Sequence, residues 1–315
     1  MVLGKYFSKK TAAANIEKPT ANPLSPAMRG TIFQLSGNRN LPSMPRSAQR
    51  AFQLSIDPNA SLQDFIELIE QDEGLASRII RITNSVYFGR PEPCTTLNDA
   101  VINIGMQELK NLLNANTLCD IFPSKHPVRA QLWMHNVAVG IFSREIAKRL
   151  APKLEGEAFL AGLMHDIGKL FLMQFQPVEF EKIVTKAFQK GEDFCPLEED
   201  IFVCNHTEIG QYIGEKWTFP DSIQTVISLH HTPISTKDFG KQNLSLLDIV
   251  RASDSLAHVL GLGHPQERSA YQRMKERSMA GVWNLIKVEP NERQAFQASL
   301  KQQFEDEYQF YVRPG

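Results

Sequence analysis

Cysteine is scarce in this sequence, and the few cysteines present lie far apart. The chain has 315 residues and four cysteines, with no CxxC pair among them. Structural zinc sites and small disulfide frameworks need cysteines at short, regular spacings, so the sequence indicates neither. We interpret Cys94, Cys119, Cys195 and Cys204 as ordinary buried thiols.

An excess of charge of either sign is also absent. Lys and Arg together number 34 and Asp and Glu 35, which leaves a formal net charge of -1. Surfaces that bind nucleic acid or anionic membranes usually carry a clear positive excess. We therefore expect no nucleic-acid partner and no membrane partner.

Long hydrophobic runs are missing as well. No stretch approaches the roughly 20 apolar residues that a membrane-spanning helix needs. The N-terminal sequence MVLGKYFSKKTAAAN carries lysines, but the apolar run of a signal peptide does not follow them. These absences predict a cytoplasmic protein.

The residues that are present are typical of a globular helical protein. Hydrophobic residues make up 42% of the chain and charged residues 22%, a balance that provides a sizeable core. No window alternates as a strand would, so we predict an all-α fold of two packed helical lobes, separated near Pro123 and Pro127. The predicted parts are a disordered tail (1–22), an N-terminal lobe (23–124), a helical bundle (125–264) and C-terminal helices (265–315).

Capping and breaking residues predict the helices of the N-terminal lobe. Ser61 is a good N-cap with Asp64 three residues later. Tyr87 and Phe88 lie at a Gly/Pro-rich tip, where they either dock a partner or pack on a neighbouring helix. The predicted helices are Asn22–Leu35, Arg46–Leu54, one from Ser61, Glu73–Thr83, Leu97–Ile104 and Gln107–Leu118.

The stretch AFLAGLMHDIGKLFLM, residues 158–173, places His165 and Asp166 inside a strongly apolar helical run. An unpaired carboxylate in such surroundings is costly. A metal ion, a positive side chain or a hydrogen-bond network must therefore compensate for Asp166. Lys169, three residues further on, is within reach on the same side of a helix.

Four further helices place a histidine or an aspartate on an apolar face. A single inward histidine is more often a hydrogen-bonded core residue than a ligand, but five such helices in one bundle can bring their polar residues together. Imidazole and carboxylate donors without thiolate suit Fe, Mn or Zn better than Mg. The residues are His135 in a helix over 128–150, His206 in one over Leu197 to Trp217, His230 and His231 at the end of the next, and Asp254 in one over Leu244 to Leu262.

Three other histidines do not fit this pattern. His126, His258 and His264 lie beside turns or helix ends. We predict that they are solvated.

The order of these motifs resembles the HD superfamily of metal-dependent phosphohydrolases, in which H, HD and D follow one another. Upstream, NLPSMPRSAQRAFQL, SLQDFIELIEQDEGLASRIIRITNSVYFG and LNDAVINIGMQELKNLL resemble the N-terminal half of the HDOD subgroup. WMHNVAVG, AFLAGLMHDIGKL and ISLHHTP follow in that subgroup's order. The similarity covers roughly residues 41 to 262.

The resemblance implies a site with one or two divalent metal ions. Compared with the HD-GYP phosphodiesterases, Asp166 would bridge two metals and, with a phosphate-contacting Lys169, would serve catalysis. However, TPISTKDFGKQ follows His231 and has no GYP triplet, so specificity for a cyclic dinucleotide is not implied. The implied ligands are His135, His165 and Asp254 for one metal, His206, His230 and His231 for the other, and Asp166 for both.

Two functions remain open at this point. One is a metal-dependent phosphohydrolase acting on a phosphoester or nucleotide. The other is a non-catalytic HDOD signalling module with a structural or vestigial metal site and a protein partner. The stripe Phe296, Leu300, Phe304, Tyr308 in residues 265–315 either closes the bundle or binds a partner.

Overall fold

A computed structural model describes residues 21–44, 46–57, 59–88, 93–119, 121–235, 244–265 and 269–312. Over these ranges the chain consists of α-helices joined by turns and short 3-10 segments, without a strand. The predicted all-α fold is confirmed. Most of the predicted disordered tail lies outside the described residues.

The N-terminal helices follow the predicted breaks closely. Ser61 and Asp64 form a reciprocal capping box at the start of α3, as predicted, and Gly105, at φ 81°, separates α5 from α6. The helices are α1 (Pro26–Leu35), α2 (Arg46–Ile56), α3 (Leu62–Glu70), α4 (Glu73–Thr83), α5 (Leu97–Ile104) and α6 (Met106–Leu118).

Two glycines allow the central pair of helices, α7 (Pro127–Leu150) and α8 (Glu155–Met164), to pack closely. A Cβ atom added at Gly162 would lie 2.6 Å from the carbonyl oxygen of Val139, and one at Gly140 would lie 3.1 Å from that of Phe159. Close contact between these backbones brings the His135 turn of α7 towards the end of α8. The following helix, α9 (Ile167–Phe175), starts directly after the HD dipeptide.

The helix predicted over Leu197 to Trp217 is wrong, because two helices occupy this stretch. The first ends at Val203, which takes a left-handed conformation with φ 63°, and Asn205 then forms a capping box with Glu208. A capping box starts a new helix, since it satisfies the free N–H groups of a first turn. The surrounding helices are α10 (Pro177–Lys190), α11 (Phe194–Phe202), α12 (His206–Lys216), α13 (Asp221–Leu229) and α14 (Leu246–Val259).

The C-terminal helices close the bundle. In α16 (Arg293–Glu307), Leu300 and Phe304 of the predicted stripe are buried. The Tyr87 ring packs edge-on against Phe310, and its hydroxyl donates to Glu307 Oε1 at 2.9 Å. The packing alternative therefore holds for Tyr87. The remaining helix is α15 (Ala270–Ile286).

One continuous hydrophobic core extends from Ile32 in α1 to Tyr311 near the C-terminus. The division into two lobes near residues 122–126 stays a prediction. Within the ranges described, no helix has both the length and the apolar character to cross a membrane.

Candidate metal centre

Seven predicted site residues converge from five parts of the fold. All are buried except His231, which is partly exposed. Their ligand atoms form two groups, each within a few ångströms. The contributors are α7 (His135), the junction of α8 and α9 (His165 and Asp166), the first residue of α12 (His206), the end of α13 (His230 and His231) and α14 (Asp254).

The first group joins His135, His165 and Asp254. Asp254 Oδ1 lies 3.1 Å from His135 Nε2 and 3.7 Å from His165 Nε2. The Nδ1 atoms face backbone carbonyls, that of Leu262 at 3.3 Å and that of Gly162 at 2.7 Å. Because a carbonyl only accepts, we assign a proton to each Nδ1, which leaves the Nε2 lone pairs facing the carboxylate.

The second group joins His206, His230, His231 and Asp166. His206 Nε2 lies 2.9 Å from His231 Nε2 and 3.4 Å from His230 Nε2. Asp166 Oδ1 lies 3.3 Å from the Nε2 atoms of both His206 and His230. Electron-rich atoms at these distances repel one another unless a proton or a cation lies among them.

The tautomers in the second group follow the same logic. His230 Nδ1 lies 3.0 Å from the carbonyl oxygen of Ile227. His206 Nδ1 lies 2.6 Å from Glu198 Oε2, which also accepts from the His206 backbone N–H at 2.8 Å. Both rings therefore keep Nε2 free, as imidazoles that bind metals do.

Asp166 lies between the two groups. Its Oδ1 atom faces His206 and His230, whereas its Oδ2 atom lies 3.4 Å from His165 Nε2. Neither Asp166 Oδ1 nor His165 Nε2 has a hydrogen-bond partner, although both are buried. Orphaned buried polar atoms are uncommon and are typical of an ion site. The Asp166 carboxylate therefore has one oxygen towards each group.

The donor spacing fits metal coordination. Donors at about 2.1 Å from one ion lie about 3.0 to 3.4 Å apart in octahedral or tetrahedral geometry, and the separations in both groups are close to this range. Nitrogen and carboxylate oxygen donors suit Fe, Mn or Zn. The residues present therefore fit divalent metal ions.

Charges in the site favour ionised carboxylates, and burial favours neutral histidines at most ligand positions. His165 is the exception, because the charge of Asp166 outweighs burial and raises its pKa. Burial opposes the charge of Asp166, but the Lys169 ammonium outweighs it, so the pKa of Asp166 lies well below its ordinary value. Asp254 is also buried, and neighbouring imidazoles hold its pKa well below the ordinary value. Burial lowers the pKa of His230 to about 4 and holds that of His231 well below its ordinary value. Metal binding requires ionised carboxylates and neutral imidazoles.

Lys169 is fully engaged within the site. Its Nζ atom lies 2.7 Å from Asp166 Oδ2 and 4.3 Å from the centre of the Phe194 ring. Despite burial, the charge of Asp166 raises the pKa of Lys169. The predicted contact between Lys169 and Asp166 is thus present. Lys169 also lines a cavity of about 20 Å³ beside the first group, room for about one water molecule.

Two histidines predicted to be solvated lie in or beside this region. His258 is 3% exposed, and its Nε2 atom lies 3.2 Å from Asp254 Oδ1. His264 is partly buried and contacts His258. The prediction is wrong for His258, although its spacing of four residues from Asp254 on one helix was a usable signal. His126 caps α7 with its ring and is partly buried.

Glu198 was not identified from the sequence. It lies in α11 and is completely buried. Its contact with His206 joins two separate helices across the break at Val203 to Asn205. No local pattern signals a contact across such a break.

A close approach between α9 and α12 sets the distance between Asp166 and His206. A Cβ atom at Gly168 would lie 2.0 Å from the carbonyl oxygen of His206. Only a residue without a Cβ atom fits at this position, which explains the glycine of the HDIGK sequence.

The fold and the site together define a class of protein. It is all-helical, and its buried histidines and aspartates could hold metal ions. The chain belongs to the HDOD domain family, whose sequence profile matches residues 41–233.

A relative from Treponema pallidum (strain Nichols), itself named an uncharacterised protein, is 26% identical over 219 residues. The aligned part is 66% of this chain and 42% of that protein, so the chain spans about two fifths of its relative's length.

Solved structures share the fold at low sequence identity. An HDOD domain protein of unknown function from Geobacter sulfurreducens has a TM-score of 0.67 at 22% identity, over 88% of this chain and 98% of its own. A Marinobacter aquaeolei VT8 protein, provisionally named a signal transduction protein, has a TM-score of 0.68 at 21% identity, and the match covers 90% of this chain and 65% of that one. A Shewanella amazonensis SB2B protein, provisionally named a metal-dependent phosphohydrolase, has a TM-score of 0.59 at 21% identity, and the match covers 91% of this chain and 98% of that one.

Proposed function

We propose that the protein is an HDOD-type regulatory protein in signal transduction, built around a centre of one or two divalent metal ions. The observation that carries the proposal is the convergence of Nε2 lone pairs and carboxylate oxygens on two positions that share Asp166. Such an arrangement repels itself without cations and is stabilised by them.

The residues that would hold the ions divide as the two groups do. A bound dication would polarise a phosphoryl group and lower the pKa of a bound water. The chain's own residues orient the donors, because backbone carbonyls and Glu198 fix the Nδ1 protons. The first ion would take His135, His165 and Asp254, the second His206, His230 and His231, with Asp166 shared between them.

Regulation is favoured over turnover because the centre is closed. Six of the seven ligands are nine-tenths or more buried, and the cavity beside the first group has room for about one water molecule rather than a nucleotide. On this proposal the ligand residues, once metal is bound, would hold the bundle in one conformation. The output is contact with a protein of a signalling pathway, and neither nucleic acid nor a membrane is a partner.

Metal content tests the proposal directly. Protein purified without chelator should contain one to two ions of Fe, Mn or Zn per chain by elemental analysis. The double variant His165→Ala, Asp166→Ala should lose them, because it removes a donor from the first group and the shared carboxylate. His126→Ala, a histidine outside both groups, is the matched control. Absence of metal from the wild type after metal-replete growth would contradict the proposal.

A second candidate is slow hydrolysis of a phosphoester or nucleotide at the same ions. The Lys169 ammonium favours it, because it lines the cavity next to the bridging carboxylate. A phosphoryl transition state spreads negative charge over its oxygens, and two dications with an ammonium would stabilise that charge. In this candidate Lys169 would contact the phosphate and Asp166 would hold both ions.

Metal-loaded Lys169→Met separates the candidates. Hydrolysis of bis(p-nitrophenyl) phosphate in manganese or iron buffer should disappear while metal content is retained. Lys182→Met, which removes an exposed ammonium paired with Glu179, should have no effect. The hydrolase candidate fails if the wild type shows no metal-dependent turnover of generic esters, nucleotides or cyclic dinucleotides. If Lys169→Met turns over the ester as fast as the wild type, Lys169 has no role in hydrolysis.

A further inference from the structure

A chain of three side chains, His258, His264 and Ser269, leads away from Asp254. His258 lies one helical turn after Asp254 in α14, with its Nε2 atom 3.2 Å from Asp254 Oδ1. Its Nδ1 atom lies 2.9 Å from His264 Nε2, and His264 Nδ1 lies 3.0 Å from Ser269 Oγ. Neither the family match nor the predicted ligand set includes these residues.

The ring geometry excludes His258 as a further ligand beside His135. The two imidazoles stack with ring centres 4.2 Å apart and planes inclined by 20°. An ion bound to an imidazole lies in the ring plane at about 2.1 Å from the nitrogen. An ion held in the plane of the His135 ring would lie out of the plane of the His258 ring, so the two stacked rings would not hold the same ion.

The hydrogen-bond chain has one consistent direction. Ser269 Oγ accepts the backbone N–H of Gln272 at 3.0 Å, and the acceptor that the described residues offer its hydroxyl is His264 Nδ1. His264 then carries its proton on Nε2 and donates to His258 Nδ1. His258 in turn carries its proton on Nε2, the nitrogen that faces the carboxylate.

The Asp254 carboxylate, at the other end of the hydrogen-bond chain, requires the same direction of donation. Ionised Asp254 only accepts hydrogen bonds, so a protonated His258 Nε2 is the attractive arrangement. In this structure the contact is within reach but off the ideal hydrogen-bond direction, and a small rotation of either side chain aligns it. His258 thus has the opposite tautomer from His135, His165 and His206, whose Nδ1 atoms are protonated.

We infer that His258 is a positioning residue of the first metal site. It donates from Nε2 to Asp254, stacks on His135 and thereby sets the orientation of two ligands, while His264 and Ser269 fix its tautomer. The inference rests on the proposed metal centre. It assigns a role to His258, four residues beyond Asp254.

His258→Phe tests this role, because phenylalanine keeps the stacked ring and removes the donor. Supporting partners of metal ligands are typically worth about 10- to 100-fold in metal affinity. We expect Zn²⁺ to bind the first site about 10- to 100-fold more weakly, with the second site unchanged, in a two-site titration of the chelator-treated full chain. Tyr271→Phe is the matched control. Its ring meets the edge of His258 and its hydroxyl has no hydrogen-bond partner, so both affinities should stay as in the wild type.

A second measurement reads the tautomer without metal. Long-range ¹H–¹⁵N spectra of the chelator-treated protein should show His258 protonated at Nε2, and His264→Phe should remove that preference. Protonation of His258 at Nδ1, or unchanged Zn²⁺ affinity in His258→Phe, overturns the inference. If the wild type binds no metal, the proposed function fails, and the tautomer still decides whether His258 donates to Asp254.

Discussion

Glu198 shows how one buried residue outside the seven predicted ligands controls a ligand. Its Oε2 atom accepts from both the backbone N–H and the Nδ1 atom of His206. The same carboxylate therefore sets the position of the first residue of α12 and the tautomer of its ring. A histidine paired with a carboxylate in this way is a more basic ligand.

Glu198→Gln should weaken metal binding at the second site about 10- to 100-fold and leave the first site unchanged. The amide keeps the size of the side chain but loses the charge that holds the Nδ1 proton. Titration with Zn²⁺ after chelation measures both sites. Glu199→Gln is the control, since Glu199 is exposed and contacts Asn205. Equal loss at both sites would mean that Glu198 supports the fold rather than His206.

Residue identity alone predicted much of the candidate site. Inward positions at helical spacing and positions at helix ends identified all seven candidate ligands, and the contact of Lys169 with Asp166 followed from a spacing of three residues. The roles of Glu198 and His258 were not predicted from the sequence, for different reasons. The first contacts its partner across the break between α11 and α12, and the second lies near a helix end, where sequence alone predicts solvent.

At the level of elements, the spacing between helices decides whether ligands meet. His165 and Asp166 lie in the break between α8 and α9, and His206 lies at the start of α12. Local signals for these breaks are weak, because Val203 takes a left-handed conformation without being a glycine or an asparagine. The Asn205 and Glu208 capping pair was a usable signal for the second break.

Gly168→Ala should destabilise the protein and disturb the second site. Alanine usually stabilises a helix by up to about 1 kcal/mol relative to glycine, but here its Cβ atom would lie 2.0 Å from the backbone of His206. Overpacking of this kind costs about 1–3 kcal/mol. Urea unfolding and Zn²⁺ titration measure the two effects.

The control for this change is Gly30→Ala. A Cβ atom there has no neighbour within 4 Å, and the residue lies inside α1. Its unfolding free energy should be unchanged or raised by up to about 1 kcal/mol. A Gly168→Ala protein as stable as Gly30→Ala would show that α12 moves away at no cost.

On the scale of the whole molecule, a buried ionic network joins the C-terminal end to the middle of the chain. Arg144 of α7 donates to both carboxylate oxygens of Glu307, at 2.7 and 2.9 Å, and to Glu108 of α6 at 2.9 Å. Arg144 is 2% exposed. We infer that this network favours one docking position for the C-terminal helix, because any other position separates the buried Glu307 carboxylate from Arg144.

Glu307→Gln should lower the free energy of unfolding by about 1–3 kcal/mol, the usual cost of an unsatisfied buried group. Glu305→Gln changes an exposed carboxylate paired with Lys301 and should stay within about 0.5 kcal/mol of the wild type. Urea denaturation followed by circular dichroism measures both. Equal stability of the two variants would show that the network adds specificity without stability.

Apolar periodicity and capping are local properties, so the helical class, most helix boundaries and the seven candidate ligands could be predicted from the sequence. Which nitrogens face which oxygens depends on the tertiary structure. His135 and Asp254 are 119 residues apart in the chain, and Arg144 and Glu307 are 163 apart. Contacts of this range depend on how closely helix backbones approach, and that depends on packing, which no local pattern records.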